Sequence, residues 1–576
     1  MRKKIVAILL SALMAFGCLA CKEQSTATPI GEPGSASAET TNSATNKDTS
    51  TLFINLSSEP EYLDPTLNTT LDGVSLAVNS FAGLYTYNQE EQIVPAIATS
   101  NPVISEDGLT YTISMNNTKW SNGDAVTAGD FVYSWNRAIM PETGADYATL
   151  FDVIARKDDG TLDVEALDDL TLEIHMQSPC PYFMSLLAFP AFYPVHRASV
   201  EAANPAGNTP EAWTWEAGFV SNGAYTLQEW KHDEYLLYVK NPYYYDAANV
   251  NMEKLYFMLT SDDAVSYTAY ELGDLDFVDQ IPAAEVELLL SNREFHIADR
   301  LSVHYLAFNV NAPLFDDMTV EQAKDFRKAV SLLIDRSYIV DTITQTGQVA
   351  ADSYVPTGMS DGNGGVFKTD SISYYDAKET GIQMDKEATS LLEGCGYTFT
   401  QNNDGTYSCS PAIQIPLLVN TTDVNLKIAN SVATDLQQLG IEVTIEETDK
   451  NDMYARQERG DFVFSRGNWT ADFDDPVNML QCFVSGLGVN TPMLGFGDSY
   501  EELNWGTYDD LIHEINTTTD YEHRVEVMHQ AEDMLMDTWA VIPLYYDNDV
   551  YMQKSNVEGI YVTSTGCKYF MYATKQ

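Results

Sequence analysis

Strand-like runs alternate with helical patterns along most of this chain. Residues 235–239 and 414–419 are apolar runs of strand length, whereas residues 326–333 and 521–539 repeat apolar side chains at helical spacing. This alternation predicts an α/β fold. At 576 residues the chain is longer than one hydrophobic core usually supports, so two or three lobes are expected.

The N-terminus has the pattern of a secretory signal. Basic residues precede an apolar run over residues 5–16, and small residues then lead to Cys21. The run is too short to cross a membrane, and no later stretch of sequence reaches the roughly 18 uncharged apolar residues that a spanning helix needs. Residues 22–50 are rich in Ser, Thr, Ala and Gly, which predicts a disordered tether.

The charge balance excludes some classes of partner. The chain has 84 acidic and 31 basic residues, a formal net charge of -53. Nucleic acid requires a basic face, and anionic lipid surfaces repel such a chain. A heavily solvated surface is the simplest interpretation of the excess acid. Calcium storage is the alternative, but residues 402–405 and 158–160 have the pattern of turns and lack the ligand spacing of an EF-hand.

Catalytic and metal-binding motifs are missing from the sequence. It contains no GxSxG, no HExxH and no phosphate-cradling glycine loop, and its eight histidines are scattered. A pair of catalytic carboxylates stays open among 84 acidic residues, although nothing singles one out. We therefore expect no enzyme, no cofactor and no metal site.

Five cysteines follow Cys21, and none has CxxC spacing. Because five is odd, at least one thiol is unpaired. Cys395 and Cys409 flank a predicted hairpin that turns at residues 402–405, so a disulfide between them is geometrically possible. Whether it forms depends on the redox state outside the cell and is left open.

Residues 120–138 read WSNGDAVTAGDFVYSWNRA. Their pattern predicts a turn and then a helix that Thr127 caps, with Asp130 at the third helical position. One face of this helix is apolar, with Phe131, Trp135 and Ala138. These features suit many α/β domains. The amino-acid sequence of the block, however, closely resembles the signature of bacterial extracytoplasmic oligopeptide-binding proteins that serve ABC importers. These proteins belong to extracellular solute-binding protein family 5.

Further short motifs resemble the same family and follow in its order, from residue 51 to the C-terminus. They are residues 51–56, 57–65, 80–85, 181–183, 186–195, 222–225, 240–242, 269–276, 305–309, 327–329, 334–336 and 542–546. The resemblance implies an α/β, two-lobe, hinged periplasmic-binding-protein fold of type II, in its large peptide-binding class, with an extra α/β domain on the first lobe.

The resemblance also implies domain limits and a membrane anchor. The implied segments are a lipoprotein signal peptide at 1–21, the tether at 22–50, lobe I at 51–72, 205–300 and 548–576, the extra domain at 73–204, and lobe II at 301–547. Residues 19–21 resemble a lipobox whose cysteine, Cys21, becomes diacylated, with Cys18 as the alternative. Such a protein is a monomer held on the extracytoplasmic face of the membrane.

Residues 466–476, RGNWTADFDDP, contain three aspartates that need separate explanations. Asp475 precedes Pro476 and a helical run, so it is predicted to cap that helix. Asp474 is predicted to be a solvated loop carboxylate. Asp472 lies beside Trp469 and Phe473, where an isolated carboxylate is costly unless a cation meets it.

In the family, the aspartate of this W-x-A-D motif meets the α-ammonium group of the ligand, which implies that role for Asp472. The alternative is that Asp472 only pairs with Arg466, a residue of structural support. The resemblance places further residues around the peptide backbone and its first residues: Glu59, Tyr62, Tyr133, Asn468, Trp469 and Thr470. Tyr133 could equally be a core residue, and Trp469 could stack on a ligand side chain or form the floor of the pocket.

Three residues depart from the oligopeptide-binding pattern: Asn425, Lys450 and Asp547. They leave ligand length and recognition of the ligand's C-terminus open. The expected function is the capture of extracellular oligopeptides, bound through their backbone, and delivery to the permease and ATPase subunits of an ABC importer. The alternatives are a binder of nickel, haem or oligosaccharide, a receptor for peptide pheromones, and a secreted hydrolase.

Overall fold

The structure, a computed structural model, describes residues 48–576 except 58, 283, 370–371, 382–385 and 404. The predicted signal peptide, both candidate lipidation cysteines and most of the predicted tether lie outside the described residues. No helix among the described residues has the length and apolarity to cross a bilayer.

The chain forms twenty-five strands within the described residues. They are β1 (Thr51–Leu56), β2 (Tyr85–Tyr87), β3 (Ile93–Pro95), β4 (Val103–Ile104), β5 (Thr110–Ser114), β6 (Thr118–Lys119), β7 (Ala125–Val126), β8 (Val164–Asp168), β9 (Thr171–His175), β10 (Tyr225–Lys231), β11 (Tyr235–Lys240), β12 (Lys254–Leu259), β13 (Phe277–Val278), β14 (Phe295–Phe308), β15 (Val349–Ala350), β16 (Thr398–Gln401), β17 (Tyr407–Ser410), β18 (Ile413–Asn420), β19 (Ile441–Thr448), β20 (Phe464–Thr470), β21 (Val541–Gln553), β22 (Val557–Glu558), β23 (Tyr561–Val562), β24 (Lys568–Tyr569) and β25 (Thr574–Lys575).

The α-helices are α1 (Leu71–Ser80), α2 (Ala128–Ala138), α3 (Phe183–Ala188), α4 (Arg197–Ala203), α5 (Asp263–Leu272), α6 (Val286–Leu289), α7 (Val320–Leu333), α8 (Arg336–Tyr338), α9 (Lys386–Gly394), α10 (Asp423–Gln437), α11 (Lys450–Glu458), α12 (Pro476–Leu480), α13 (Ser499–Glu502), α14 (Gly506–Thr517) and α15 (Tyr521–Asp537). Short 3₁₀ helices include Asp146–Val153 and Gln481–Phe483. The strands and helices predicted from periodicity are confirmed in β11, β18, α7 and α15.

An eleven-stranded mixed sheet runs through the fold in the order β10-β11-β12-β1-β13-β21-β14-β20-β18-β19, with β15 paired to β21. One side contains the parallel strands β12, β1 and β13, and the other contains the parallel strands β20, β18 and β19. The antiparallel pair β14 and β21 joins the two sides. Parallel strands need helical crossovers, which explains the alternation seen in the sequence.

The pairing of β14 with β21 changes register near its middle. Asp299 pairs with Asn548, and the next paired residues are Val303 and Tyr546. Unpaired residues in a ladder bend the strands and weaken the local pairing. The predicted limits between the lobes, at 300/301 and 547/548, fall in this irregular stretch, and those limits stay a prediction.

Residues 120–138 have the predicted local structure. Thr127 and Asp130 form a capping box at the start of α2, and Trp120 Nε1 also donates to Asp130 Oδ2 at 3.3 Å. Phe131 and Trp135 are fully buried. The helix packs beside the four-stranded sheet β4-β5-β9-β8. This block therefore has a structural explanation at every position that the pattern singled out.

Residues 73–204 contact the segment after β20 directly. The rings of Tyr182 and Phe473 stack with their centroids 4.7 Å apart, and Ser178 Oγ donates to the carbonyl oxygen of Asn516 at 2.7 Å. Tyr182 and Phe473 belong to one hydrophobic cluster. Residues 73–204 therefore pack against segments that follow β20, although these parts are far apart in sequence.

The disulfide that the sequence left open is not formed. Cys395 follows α9, with its Sγ 3.2 Å from the carbonyl oxygen of Gln322, whereas Cys409 lies on β17 opposite Phe399. Both thiols are free. The hairpin of β16 and β17 is present, but it directs the two cysteines to different neighbours.

Candidate functional site

β20 leads into the segment that carries most of the predicted ligand residues. This strand lies between β14 and β18 in the large sheet. Asn468, Trp469 and Thr470 end the strand, and Asp472 follows after the buried Ala471. Ligands of open α/β sheets bind beyond the carboxyl ends of strands, so this end of β20 is the candidate site.

Asp472 is held by neutral hydrogen-bond donors. Its Oδ1 accepts from the hydroxyl of Tyr147 at 2.7 Å, and its Oδ2 accepts from Nδ2 of Asn478 at 3.2 Å. Burial raises the pKa of Asp472, although both hydrogen bonds favour the charged form. Among the ion pairs of the described residues, none involves Asp472, so this carboxylate meets no cation from the protein itself.

Asn478 positions both Trp469 and Asp472. Its side chain is completely buried on the first turn of α12, where its Oδ1 accepts from Trp469 Nε1 and from the backbone N–H of Asp472, both at 3.1 Å. The predicted cap is confirmed, since Asp475 accepts from Val477 N at 3.0 Å and begins that helix. The cap therefore fixes the loop that presents Asp472.

Tyr147 was not among the predicted ligand residues. It lies in the 3₁₀ helix Asp146–Val153, with its ring edge-on to Phe189 at 5.3 Å. Burial and the charge of Asp472 raise the pKa of Tyr147, so its hydroxyl stays protonated and donates. No local motif marks this tyrosine, because its partner lies 325 residues away in sequence.

Glu59 and Tyr62 follow β1 but have different surroundings. Glu59 accepts from His232 Nδ1 at 2.6 Å and from the backbone N–H of Asp233 at 2.9 Å, at the turn between β10 and β11. Tyr62 is partly buried, and burial, followed by nearby acids that include Asp146, raises its pKa. Tyr62 therefore lies near the helix that carries Tyr147, whereas Glu59 is engaged by a neighbouring hairpin.

Tyr133 contacts a different part of the molecule. Its partly buried ring lies under the guanidinium of Arg197 at 5.2 Å. None of its described contacts is with Asp472, Trp469 or Asn478. The alternative for Tyr133, a residue packed within its own domain, is the one that this geometry favours.

The alternative for Asp472, a pairing with Arg466, is not found, because the partners of Asp472 are Tyr147 and Asn478. Arg466 shares a small cavity with His304. Asn468 pairs with His304 through the β20–β14 ladder, and Thr470 Oγ1 donates to Ser302 Oγ at 3.0 Å. Alternation along the strand puts Arg466, Asn468 and Thr470 on one face of the sheet.

Two arginines and a histidine lie near one carboxylate where β14 and β21 pair. Asp547 Oδ2 lies 3.3 Å from His304 Nε2 and 3.9 Å from Arg300 Nη1, and Arg466 contributes to the same electrostatic environment. The Nε atoms of Arg300 and Arg466 are buried without an acceptor. We call Arg300, His304 and Arg466 the cationic group. The sequence pointed to Asp547 as unusual but did not reveal these partners.

The pKa values at the cationic group reflect this crowding. Burial alone would raise the pKa of Asp547, but the charge and hydrogen bond of His304 and the charge of Arg300 outweigh it, and the pKa is lowered. Burial lowers the pKa of His304, and the attraction of Asp547 opposes that shift. The carboxylate is therefore charged and leaves positive charge in excess.

Asn425 and Lys450, the other two residues that depart from the oligopeptide-binding pattern, differ in their burial. Asn425 is buried beside the cationic group, where it lines the same small cavity and donates to Asn420 Oδ1 at 2.9 Å. Lys450 is exposed at the start of α11, with its ammonium over the ring of Tyr454. Only Asn425 is placed to affect a ligand near Arg466.

The remaining two aspartates are more constrained than the sequence indicates. Asp474 was predicted to be solvated, but it accepts from the backbone N–H of Ser360 at 2.8 Å, and burial raises its pKa to about 6. Asp475 also forms a buried bidentate pair with Arg524, with both distances 2.9 Å. Both partners lie in segments that fold back onto this loop.

No cluster of three or more His, Cys, Asp or Glu side chains in the described part of the chain has an arrangement that could hold a metal ion. The site around Asp472 consists of neutral hydrogen-bond donors and aromatic rings instead. Such a site can hold an ammonium group by a charge-assisted hydrogen bond.

Comparison with known proteins gives consistent matches over most of the chain. Residues 92–491 match the bacterial extracellular solute-binding proteins, family 5 Middle. The chain is 30% identical over 524 residues to the dipeptide-binding protein DppE of Bacillus subtilis (strain 168), which covers 88% of this chain and 89% of that protein. It is 29% identical over 550 residues to the oligopeptide-binding protein OppA of the same organism, with 92% and 93% covered.

A solved structure of Listeria monocytogenes OppA bound to peptide superposes with a TM-score of 0.74 at 26% identity, covering 92% of this chain and 99% of that one. The similarity therefore applies to most of this chain and to nearly all of that structure.

Proposed function

The chain belongs to the bacterial extracellular solute-binding proteins of family 5, and we propose that it captures oligopeptides outside the cytoplasm and delivers them to an ABC importer. Its fold is the two-lobe type II binding-protein fold. The family consists of binding proteins and not of enzymes. The single observation that supports a peptide ligand is the Asp472 carboxylate, which is partly buried, accepts from neutral donors and has no cation of the protein beside it.

The N-terminal ammonium of a peptide supplies the cation that Asp472 lacks. A charge-assisted hydrogen bond between an ammonium and a carboxylate is roughly twice as strong as a neutral one. The cost of burying Asp472 is met only when such a partner is present. Tyr147 and Asn478 keep the carboxylate oriented toward the incoming ligand.

The cationic group supplies the opposite charge for a carboxylate of the ligand. Arg300 and Arg466 each have a buried Nε without an acceptor, and His304 adds a third donor. A short peptide has an ammonium at one end and a carboxylate at the other. A site with an acidic residue at one position and basic residues at another therefore suits a zwitterionic peptide better than haem or nickel.

Peptide capture uses closure of the two lobes around the ligand. The irregular register of β14 and β21 provides the bend, and Tyr147 with Asp472 and Tyr182 with Phe473 form contacts between residues 73–204 and the segment after β20. The lobe limits given by the sequence, 300/301 and 547/548, lie at this bend. The closed form is the one that the importer receives.

Attachment to the membrane is part of the proposal. Cys21 becomes lipidated, and residues 22–50 tether the folded, monomeric part to the extracytoplasmic face. Metabolic labelling with an alkyne fatty acid should label the wild-type protein and not Cys21→Ala. Label that remains on the Cys21→Ala variant and disappears with Cys18→Ala would move the anchor to Cys18.

The function itself is tested on protein purified from its native host. After denaturation, mass spectrometry should identify a mixture of short peptides. Recovery of haem, nickel or an oligosaccharide instead would refute the peptide proposal. A calorimetric titration with tri-alanine and with N-acetyl-tri-alanine tests the anchor separately, because only the free amine can pair with Asp472.

A further inference from the structure

Helices α5 and α6 pack on one small core and present apolar side chains to solvent. The core consists of Tyr270, Leu275, Val278, Leu289 and Met552. The charge of Glu285, just before α6, reaches Tyr267 on α5, so the two helices are neighbours.

Leu272 and Leu288 are 72% and 73% exposed, and Val265 and Leu290 are 52% and 51% exposed. We call these four residues the α5–α6 face. Val265 and Leu272 are seven residues apart, which places them on one stripe of α5. Large exposed apolar side chains on neighbouring helices can mark interaction sites on soluble proteins.

Acidic residues predominate on and between the two helices, and the cations near them come from other segments, such as Lys554, whose ammonium lies 3.7 Å from the ring centroid of Tyr270. Residues 255–292 contain eight acidic residues and no Lys, Arg or His. Asp276 and Asp279 pair with Lys575 and Lys568. The ion pairs of the described residues involve none of the other six, which are Asp262, Asp263, Glu271, Asp274, Glu285 and Glu287.

The chemistry of this surface selects one kind of occupant. A second copy would bring the same acids into contact, and an anionic bilayer would repel them. A protein with an apolar patch bordered by Lys and Arg is complementary in both respects. We infer that the α5–α6 face docks on the permease of the importer, an inference that rests on the proposed function.

Photo-crosslinking tests where the permease lies. A photoreactive amino acid is placed singly at Leu272 and Leu288 of the full-length protein, and at Val103 and Leu167 as matched controls, which are 72% and 53% exposed on the four-stranded sheet. In membrane vesicles from the native host, adducts identified as permease by mass spectrometry are expected from Leu272 and Leu288 only. Adducts with a second copy or with lipid, or no adduct at all, would overturn the inference.

Transport variants provide a second measurement. Leu272→Arg with Leu288→Arg should reduce tri-alanine-stimulated ATP hydrolysis in the vesicles at least tenfold, because both new charges repel a basic border. The affinity for tri-alanine should be unchanged, and Val103→Arg with Leu167→Arg should change neither quantity. Full stimulation by the first pair would refute the docking face, whereas failure of wild type to bind peptides would instead refute the proposed function.

Discussion

The hydroxyl of Tyr147 donates a 2.7 Å hydrogen bond to Asp472, a residue 325 positions later in the chain. This bond joins residues 73–204 to the segment that follows β20. It also opposes the effect of burial on the pKa of Asp472, since a hydrogen bond to the charged form favours the carboxylate. Several expected outcomes depend on this pair and its surroundings.

Asp472→Ala should weaken tri-alanine binding at least about thirtyfold, because loss of one partner of a buried charge pair costs roughly 2–5 kcal/mol. Isothermal titration calorimetry measures the affinity. Asp474→Asn is the matched control, since Asp474 is a neighbouring buried carboxylate whose described partner is the N–H of Ser360. Unchanged affinity in Asp472→Ala would remove this residue from the ligand site.

Tyr147→Phe should weaken binding about three- to tenfold, because the hydroxyl orients the Asp472 carboxylate and favours its charged form, and the net contribution of a typical hydrogen bond is roughly 0.5–1.5 kcal/mol. Burial already raises the pKa of Asp472, and removal of the donor raises it further. An ammonium binds the charged carboxylate, so affinity falls as the pH drops through that pKa. Titrations at several pH values should show this loss at a higher pH in Tyr147→Phe than in wild type, and no change in Tyr133→Phe.

Arg466→Gln should weaken the binding of tri-alanine about tenfold or more and leave tri-alanine amide nearly unaffected. A hydrogen bond to a charged group is worth roughly 1.5–3 kcal/mol, and only the free acid offers that group. Competition assays with the two peptides measure the difference. The control is Arg456→Gln, which breaks a partly exposed ion pair between Arg456 and Glu446. An equal loss for acid and amide would argue against a carboxylate at the cationic group.

Arg524→Gln should lower the free energy of unfolding by roughly 3–5 kcal/mol, because it leaves Asp475 buried without its partner. Urea denaturation followed by circular dichroism measures this change. Arg197→Gln, which breaks an exposed ion pair with Glu201, should change it by less than about 1 kcal/mol. Similar values for the two variants would contradict the role of the buried pair.

Glu532 should make the folded protein more stable as the pH falls from about 8 to 5. Burial raises its pKa to about 7, despite hydrogen bonds from the N–H groups of Tyr354 and Val355. The folded state then binds a proton that the unfolded state releases, so stability rises as the pH drops through this range. Glu532→Gln should flatten this dependence in melting temperatures measured from pH 5 to 8. If Glu532→Gln depends on pH as steeply as wild type does, other carboxyl groups cause the pH dependence of stability.

Much of the local structure can be predicted from sequence, because its determinants lie within one turn of each other. The Thr127–Asp130 capping box and the Asp475 cap before Pro476 are confirmed. The alternation of strands and helices predicts the α/β class correctly, since parallel strands require helical crossovers. The family motifs extend the prediction from the α/β class to the two-lobe fold.

Predictions that needed a distant partner were less successful. Asp474 was expected in solvent, yet its carboxylate is partly buried and accepts from the N–H of Ser360, 114 residues away. Arg466 was a candidate partner for Asp472, but the extended strand β20 carries Arg466 away from Asp472, and Arg466 lies beside His304 instead. Burial and pairing of charges depend on which segments the fold brings together, and no local pattern records that.

The sequence alone determines the family, the order of elements and the segment that carries Asp472, because these depend on short motifs. Only the tertiary structure decides that Tyr147 and Asn478 hold this carboxylate, that Arg300 and His304 approach Asp547, and that Arg466 lies beside His304. The physical reason is that the energy of a buried charge is set by its neighbours in space. Those neighbours come from separate strands and helices that meet only after packing.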